Sequence, residues 1–412
     1  MNLIRIAWKH IIAKPSATLM SLLLFGLGVG LISMLLLLTT QLQDKFERNL
    51  GNIDLVIGAK GSPLQLILCS IYQIDNPTGN IGVGEAKAFL NPKHPLIIKA
   101  IPLGIGDNFR EYRIVGTTPE YLDVYQAELL EGNIWKEDFE ATIGATVARD
   151  LGLKIGDTFF SSHGFNADDM EHDEFQFVVK SILKPSGTVI DKLILTNLSS
   201  IWKSHHTEGH VHYEESVNSI DSLLQEKYFE EELTSILVFY KNKTDYRSLN
   251  LLRGINENTG MMAASPAYRT ARLFEMMGSA TFALRMLAIA IVIVSAVSVF
   301  LSLYGSLRER RYELAIMRVM GSSRTRLFFL LIIEGVFLSL IGFVFGILLS
   351  HLGMEVLARY MESSYQYDFS GFIFLKEELF LLAGALIIGF LSAAIPAAFA
   401  AGTEISGTLG QK

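Results

Sequence analysis

The chain has 412 residues, of which 50% are hydrophobic and only 19% charged, below the roughly 25% usual for a soluble domain. A mean hydropathy of +0.35 with a net charge of −7 argues against an ordinary soluble enzyme and against nucleic-acid binding, because no basic face lies outside the membrane-flanking segments. Cys69 is the single cysteine, so an intrachain disulfide is excluded.

Residues 1–16 open with NLIRIAWKHIIAK, in which Leu3, Ile6, Ala7, Ile11 and Ile12 fall apart from Arg5, Lys9 and Lys14 on a helix. The pattern predicts an amphipathic interfacial helix that bends at Pro15. Residues 17–40 lack charge for long enough to cross a hydrocarbon core. That run exceeds a signal-peptide core and no small-x-small cleavage site follows, so a retained anchor is expected. A lipoprotein reading of Leu66-Ile67-Leu68-Cys69 is weak, because the segment lies far from the apolar run.

Residues 41–280 are polar, mixed in pattern and large enough for their own core. Strands are expected at 53–57, 96–101, 112–115, 175–182, 192–196 and 235–240, and helices at 119–130, 144–151, 197–203, 220–231 and 245–256. Gly152 to Asp157 reads as a turn between a helix and a strand. The irregular interleaving argues for an α+β domain, with composition changes near 157–173 and 203–221 pointing to two subdomains or an insertion. Gly58-Ala59-Lys60-Gly61-Ser62 lacks phosphate-loop spacing and reads as a surface turn. No nucleophile elbow, HExxH or zinc-finger spacing occurs, so no catalytic residue is assigned. His163, His172, His205, His206, His210 and His212 cluster with acidic neighbours, as either metal ligands or solvated loop residues.

A helix over 264–279 is expected to feed the second span, whose region is 281–307 and whose uncharged run starts at Met286. The connector 308–326 carries Arg308, Arg310, Arg311, Arg318, Arg324 and Arg326 against Glu309 and Glu313. Such a basic connector between spans is retained in the cytoplasm. The third span covers 327–350, an outer connector 351–378, the fourth span 379–402, and a cytoplasmic tail 403–412. The expected fold is thus a membrane protein with four transmembrane helices, one before and three after a large extracytoplasmic α+β domain, and with both termini cytoplasmic. Gly26 with Gly30, and Gly342 with Gly346, have the spacing that lets helices approach closely, within one chain or across a dimer seam. Glu334 lies inside the third span, either as a proton or substrate site or as an interhelical hydrogen-bonding group.

Residues 309–323, ERRYELAIMRVMGSS, resemble a segment of the MacB/FtsX/LolC-like permeases, the transmembrane subunits of ABC transporters. Glu334, the Gly342/Gly346 pair, the turn ARDLGLKIGD at 148–157 and Ile395-Pro396-Ala397 are similar to further features of that family. The chain departs from it in carrying no fused ATPase and in the apolar run that follows Pro396.

The resemblance implies a bacterial inner-membrane permease that is itself no enzyme and holds no cofactor. A separate cytoplasmic ABC ATPase would bind ATP and Mg, and a second permease copy, identical or related, would complete the assembly. The implied coupling residues are Arg310, Arg311, Glu313, Leu314, Ile316, Met317, Arg318, Met320 and Gly321, with the apolar ones burying against the ATPase or the spans. Work on a lipoprotein, peptide or other amphiphile is implied, with a periplasmic or lipoprotein partner and contact with membrane lipid. Regulation of a cell-wall hydrolase, as in FtsX-like proteins, and zinc-related transport through the histidine-bearing loop are the alternatives.

Overall fold

The computed structural model describes residues 3–13, 15–162, 171–205, 215–365 and 369–402. It divides into two compact units, one formed by residues 1–43 with 275–412 and the other by residues 44–274.

In the first unit, α1 spans Leu3–Ala13, α2 Pro15–Asn49, α3 Pro266–Glu309, α4 Arg311–Val319, α5 Arg324–Tyr365 and α6 Lys376–Ala401. Among the described residues, four helices are long and apolar enough to cross a membrane, namely α2, α3, α5 and α6. Each exceeds the roughly 20 residues that a bilayer core requires, so their ends extend past the apolar runs. In α5 the helix continues to Tyr365, beyond the expected end of the third span at 350. Pro15 starts α2, a position where its missing N–H is harmless. Pro396 lies within α6, which a transmembrane helix tolerates because neighbours re-satisfy the freed groups.

One apolar cluster of this unit joins Ile11 of α1, Leu303 and Leu307 of α3, Leu314 of α4, Leu327 and Leu331 of α5, and Ala393 and Ala397 of α6. A second joins Leu37 of α2 to Met354 and Ala358 of α5 and to Phe369.

The second unit is a mixed α+β domain. Its strands are β1 Leu55–Ala59, β2 Ile81–Gly82, β3 Ile97–Phe109, β4 Tyr112–Gly116, β5 Leu129–Gly132, β6 Glu140–Ile143, β7 Thr158–Ser162, β8 Glu171–Leu183, β9 Leu193–Thr196, β10 Glu232–Leu233, β11 Ser235–Tyr240 and β12 Met261–Ala264. Among the described residues ten of them form one sheet in the order β12-β1-β11-β3-β4-β9-β6-β8-β5, with β7 bridging β3 and β8. Strand β3 is the long central element. Its first half pairs antiparallel with β11, Leu103 opposite Ser235, and its second half with β4, Phe109 opposite Tyr112. A core lies on each half: Leu55, Ile57, Ile97, Ile236 and Trp202 in one, and Ile114, Ile143, Phe159, Phe177 and Ile194 in the other.

Three local expectations change. Residues 119–130 form only a short helix, Tyr121–Val124, and the chain then enters strand β5. Residues 220–231 break into a helical turn, Ile220–Leu223, and a 3-10 turn, Glu226–Tyr228. Gly58 and Ala59 belong to buried β1 rather than to a surface turn, and Ser62 caps the following helix Pro63–Ser70 by accepting from the Gln65 N–H at 3.4 Å. In the first and third cases sheet pairing, a tertiary contact, overrides a local pattern.

The turn at 152–157 is built on two left-handed glycines, Gly152 with φ of +67° and Gly156 with φ of +92°. Asp157 Oδ2 accepts from the Lys154 N–H at 2.8 Å, and the Gly156 N–H donates to the Val179 carbonyl at 2.9 Å. The motif therefore joins the helix Ala145–Leu151 to β7 and fastens that joint to β8.

Candidate functional site

The arginine-rich connector forms the short helix α4. Gly321, with φ of +95°, ends it, and the Gly321 N–H returns to the Arg318 carbonyl at 3.1 Å. Ser323 then opens α5 by accepting from the Arg326 N–H at 3.3 Å.

Two faces of α4 differ. Leu314 and Ala315 are buried in the helix bundle, with Met317 packed against the same cluster. Tyr312, Ile316, Val319 and Met320 are exposed, Met320 at 82%. Their spacing of four, three and one residues places them on one side of a helix. The four apolar residues singled out in the connector therefore divide: Leu314 and Met317 serve the chain's own bundle, and Ile316 and Met320 face outward. Glu313 is exposed as well.

Two of the arginines bond within the chain. Arg310 Nη2 donates to the His10 carbonyl in the last turn of α1 at 3.2 Å. Arg318 Nη1 reaches the Ala401 carbonyl at the end of α6 at 3.5 Å. Both therefore sit at helix C-termini, where unpaired carbonyls and the negative end of the helix dipole favour a cation. Arg311 begins α4, and its side chain lies outside the described residues. Thus α4 is held to the ends of two other helices while its apolar stripe stays outside.

Glu334 is 3% exposed, and His10 Nδ1 of α1 lies 2.5 Å from its Oε1. A carboxylate inside an apolar span is stabilised by such a partner. His10 escaped notice in the sequence because it lies more than 300 positions from Glu334. A second polar group went unread in the same way. Glu378 Oε1 lies 3.0 Å from His351 Nε2 and accepts from Ser33 Oγ at 2.9 Å, while Ser350 Oγ donates to Ser33 Oγ at 2.8 Å. This network ties α2, α5 and α6 together. Ser33 and Ser350, polar residues inside otherwise apolar runs, were the available signal.

The four glycines interlock within the chain. A Cβ on Gly346 would stand 2.7 Å from the Gly26 carbonyl oxygen, and one on Gly30 would stand 2.9 Å from the Gly346 carbonyl oxygen. Gly342 packs on Phe25. So α2 and α5 approach backbone to backbone, as small residues permit in lipid.

Of the histidines considered as metal ligands, His163, His206, His210 and His212 lie outside the described residues, as does the side chain of His172 on β8. His205 ends the helix Leu198–His205, with Nε2 3.2 Å from Oδ1 of fully buried Asp107. The hydrogen bond to that carboxylate raises the His205 imidazole above its ordinary pKa, against the opposing effect of burial. Among the described residues, no group of three or more histidine, cysteine, aspartate or glutamate side chains could hold a metal ion. Cys69 is buried, and desolvation pushes its thiol up to about 11, which makes it a poor nucleophile.

A family profile described as a MacB-like periplasmic core domain matches residues 18–245, more than half of the chain. A second, described as the FtsX-like permease C-terminal region, matches residues 285–405. No curated protein matches the chain. Among solved structures, the periplasmic region of MacB from Actinobacillus actinomycetemcomitans is 12% identical, covering 55% of this chain and 94% of that one with a TM-score of 0.34. The extracellular domain of the noncanonic ABC-type transporter YknZ from Gram-positive bacteria is 11% identical, covering 52% and 99% with a TM-score of 0.28. A domain of a permease protein from Porphyromonas gingivalis is 13% identical, covering 52% and 88% with a TM-score of 0.27.

Proposed function

We propose, for a chain that belongs to the MacB/FtsX-like ABC permeases, that α4 is the seat of a separate cytoplasmic ATPase and that hydrolysis there moves the α+β domain. The exposed stripe of Tyr312, Ile316, Val319 and Met320 carries this reading. An apolar stripe on a charged connector is unfavourable in water unless something covers it. Its opposite face is packed and its flanking arginines are bonded to α1 and α6, so force applied to the stripe passes into the bundle instead of bending a loop.

ATP and Mg bind the partner ATPase, and this chain supplies the lever. The lever works in a bacterial inner membrane, with α1 and α4 on the cytoplasmic side. It pairs with a second permease copy, identical or related. The cargo is an amphiphile, peptide or lipoprotein handled on the outer side. In support, the buried polar groups of the bundle at Glu334 and Glu378 bond to neighbouring helices instead of lining a path for a solute.

The test is co-purification of the full chain with the ATPase it recruits from membranes. Ile316→Asp combined with Met320→Asp should abolish co-purification while leaving the permease folded, because both side chains are exposed. Met317→Asp is a poorer probe, since it would also damage the bundle core. Undiminished recovery of the ATPase with the double variant would sink the docking reading.

A further inference from the structure

The end of α5 remote from the connector carries an apolar groove with a charged mouth. Val344, Leu348 and Leu352 are exposed at four-residue spacing, 49%, 56% and 64% respectively, and so form one stripe. Facing them is the segment 369–375, which the bundle holds firmly. Phe369 is buried with Leu37 and Met354. Ser370 exchanges two hydrogen bonds with Gln41, each 2.9 Å, and the Gly371 carbonyl pairs with His351 Nδ1. That pinning leaves Phe372 and Phe374 exposed at 77% and 76%. Between stripe and segment lies a groove of about 300 Å³, within the range of sites that hold small ligands.

One end of the groove carries a carboxylate. Glu355 supplies it, its side chain 25% exposed, with Oε2 accepting from the Gly371 N–H at 3.3 Å and Oε1 lying 3.4 Å from Arg359 Nε. Arg359 stands one turn further along, 79% exposed. Along α5 the groove offers apolar walls, then a carboxylate, with a guanidinium one turn beyond. A fatty chain fits the walls. An ammonium fits Glu355, and a phosphate fits Arg359, whose planar fork suits phosphate oxygens.

We propose that the groove holds one phospholipid of the outer leaflet whose headgroup carries an amine, with its chain against α5 and Phe374. The fixed segment makes it a preformed seat, in which the lipid fills the space between helix and connector. A phosphatidylglycerol headgroup offers the same phosphate and no ammonium, so Glu355 repels or ignores it. The proposal shares with the proposed function only the orientation of the bundle, and it needs no ATPase.

Native mass spectrometry tests it on the full detergent-solubilised chain, supplied with equal amounts of phosphatidylethanolamine and phosphatidylglycerol. One retained phosphatidylethanolamine is expected, favoured by about tenfold, the size of one charge-assisted hydrogen bond. Glu355→Gln should erase the preference yet keep a bound lipid, and Leu348→Trp, which fills the groove, should reduce both lipids. Equal retention of the two lipids by the unsubstituted chain would overturn the proposal. So would a preference that survives Glu355→Gln, or a groove found filled by a second copy of the chain or by an acylated cargo. The lipid preference of the unsubstituted chain decides the matter even if a variant misfolds.

Discussion

Gly346→Ala tests the packing on which the bundle rests. The added Cβ would lie 2.7 Å from the Gly26 carbonyl oxygen, 3.0 Å from Val29 Cβ and 3.1 Å from the Gly30 nitrogen. Two of those three atoms are backbone, so no rotamer change relieves them. Helix α2 must retreat by about 0.7 Å to restore the 3.4 Å of ordinary contact. A gap of that size forfeits roughly a quarter to a half of the dispersion energy at each contact it opens. Overpacking of this kind costs about 1–3 kcal/mol, offset in part by up to about 1 kcal/mol of helix propensity from alanine. The net expectation is a loss of about 1–2 kcal/mol. Gly384→Ala in α6 is the control, because nothing lies within 4 Å of a Cβ there. Thermal unfolding of the full chain in detergent should lower the midpoint of the first variant by a few degrees and leave the second unchanged or slightly higher. Equal midpoints would refute the reasoning. So would a first variant that melts normally and loses only self-association, because the glycines would then serve a seam between chains.

Three other outcomes follow from the same geometry. Gly152→Ala, at φ of +67° with open space around it, should lose about 1–2 kcal/mol to backbone strain alone, measured by denaturant unfolding. His10→Leu should destabilise the bundle by about 3 kcal/mol, because it strands a buried carboxylate, and Glu334→Gln in the same background should recover most of that in the same melting assay. Asp107 raises His205 above its ordinary value of 6.5, so its contribution is complete below that value and fades as pH rises through the higher folded value. The stability gap between the native chain and His205→Asn should therefore be widest in mild acid and narrow as pH rises. A gap that widened with pH would contradict the assigned pairing.

Much of the site was legible because its signals are local. The length of each apolar run marks a span, and the arginine-rich connector between two of them contains α4. Gly321 and Ser323, a helix stop and a helix start, are readable in sequence because each acts on its own backbone. The division of α4 into a packed and an open face was not readable. Leu314, Ile316, Met317 and Met320 are all apolar, and only the position of α3, α5 and α6 decides which of them is covered. Likewise Arg310 and Arg318 carry the same charge in any reading, yet their partners are carbonyls at the ends of α1 and α6.

The sequence by itself determined the class of the protein: four apolar helices, one before and three after a large α+β domain, since hydropathy over about 20 residues is a property of contiguous chain. It also placed a turn at Gly152–Asp157, where the structure has two left-handed glycines. The tertiary structure alone decided which distant groups meet. His10 with Glu334, His351 with Glu378, and Gly26 with Gly346 are separated by hundreds of residues or sit on different helices, and no local pattern encodes their pairing. A buried charge or a bare glycine announces that it needs a neighbour. Only the packing of the bundle says which neighbour it has.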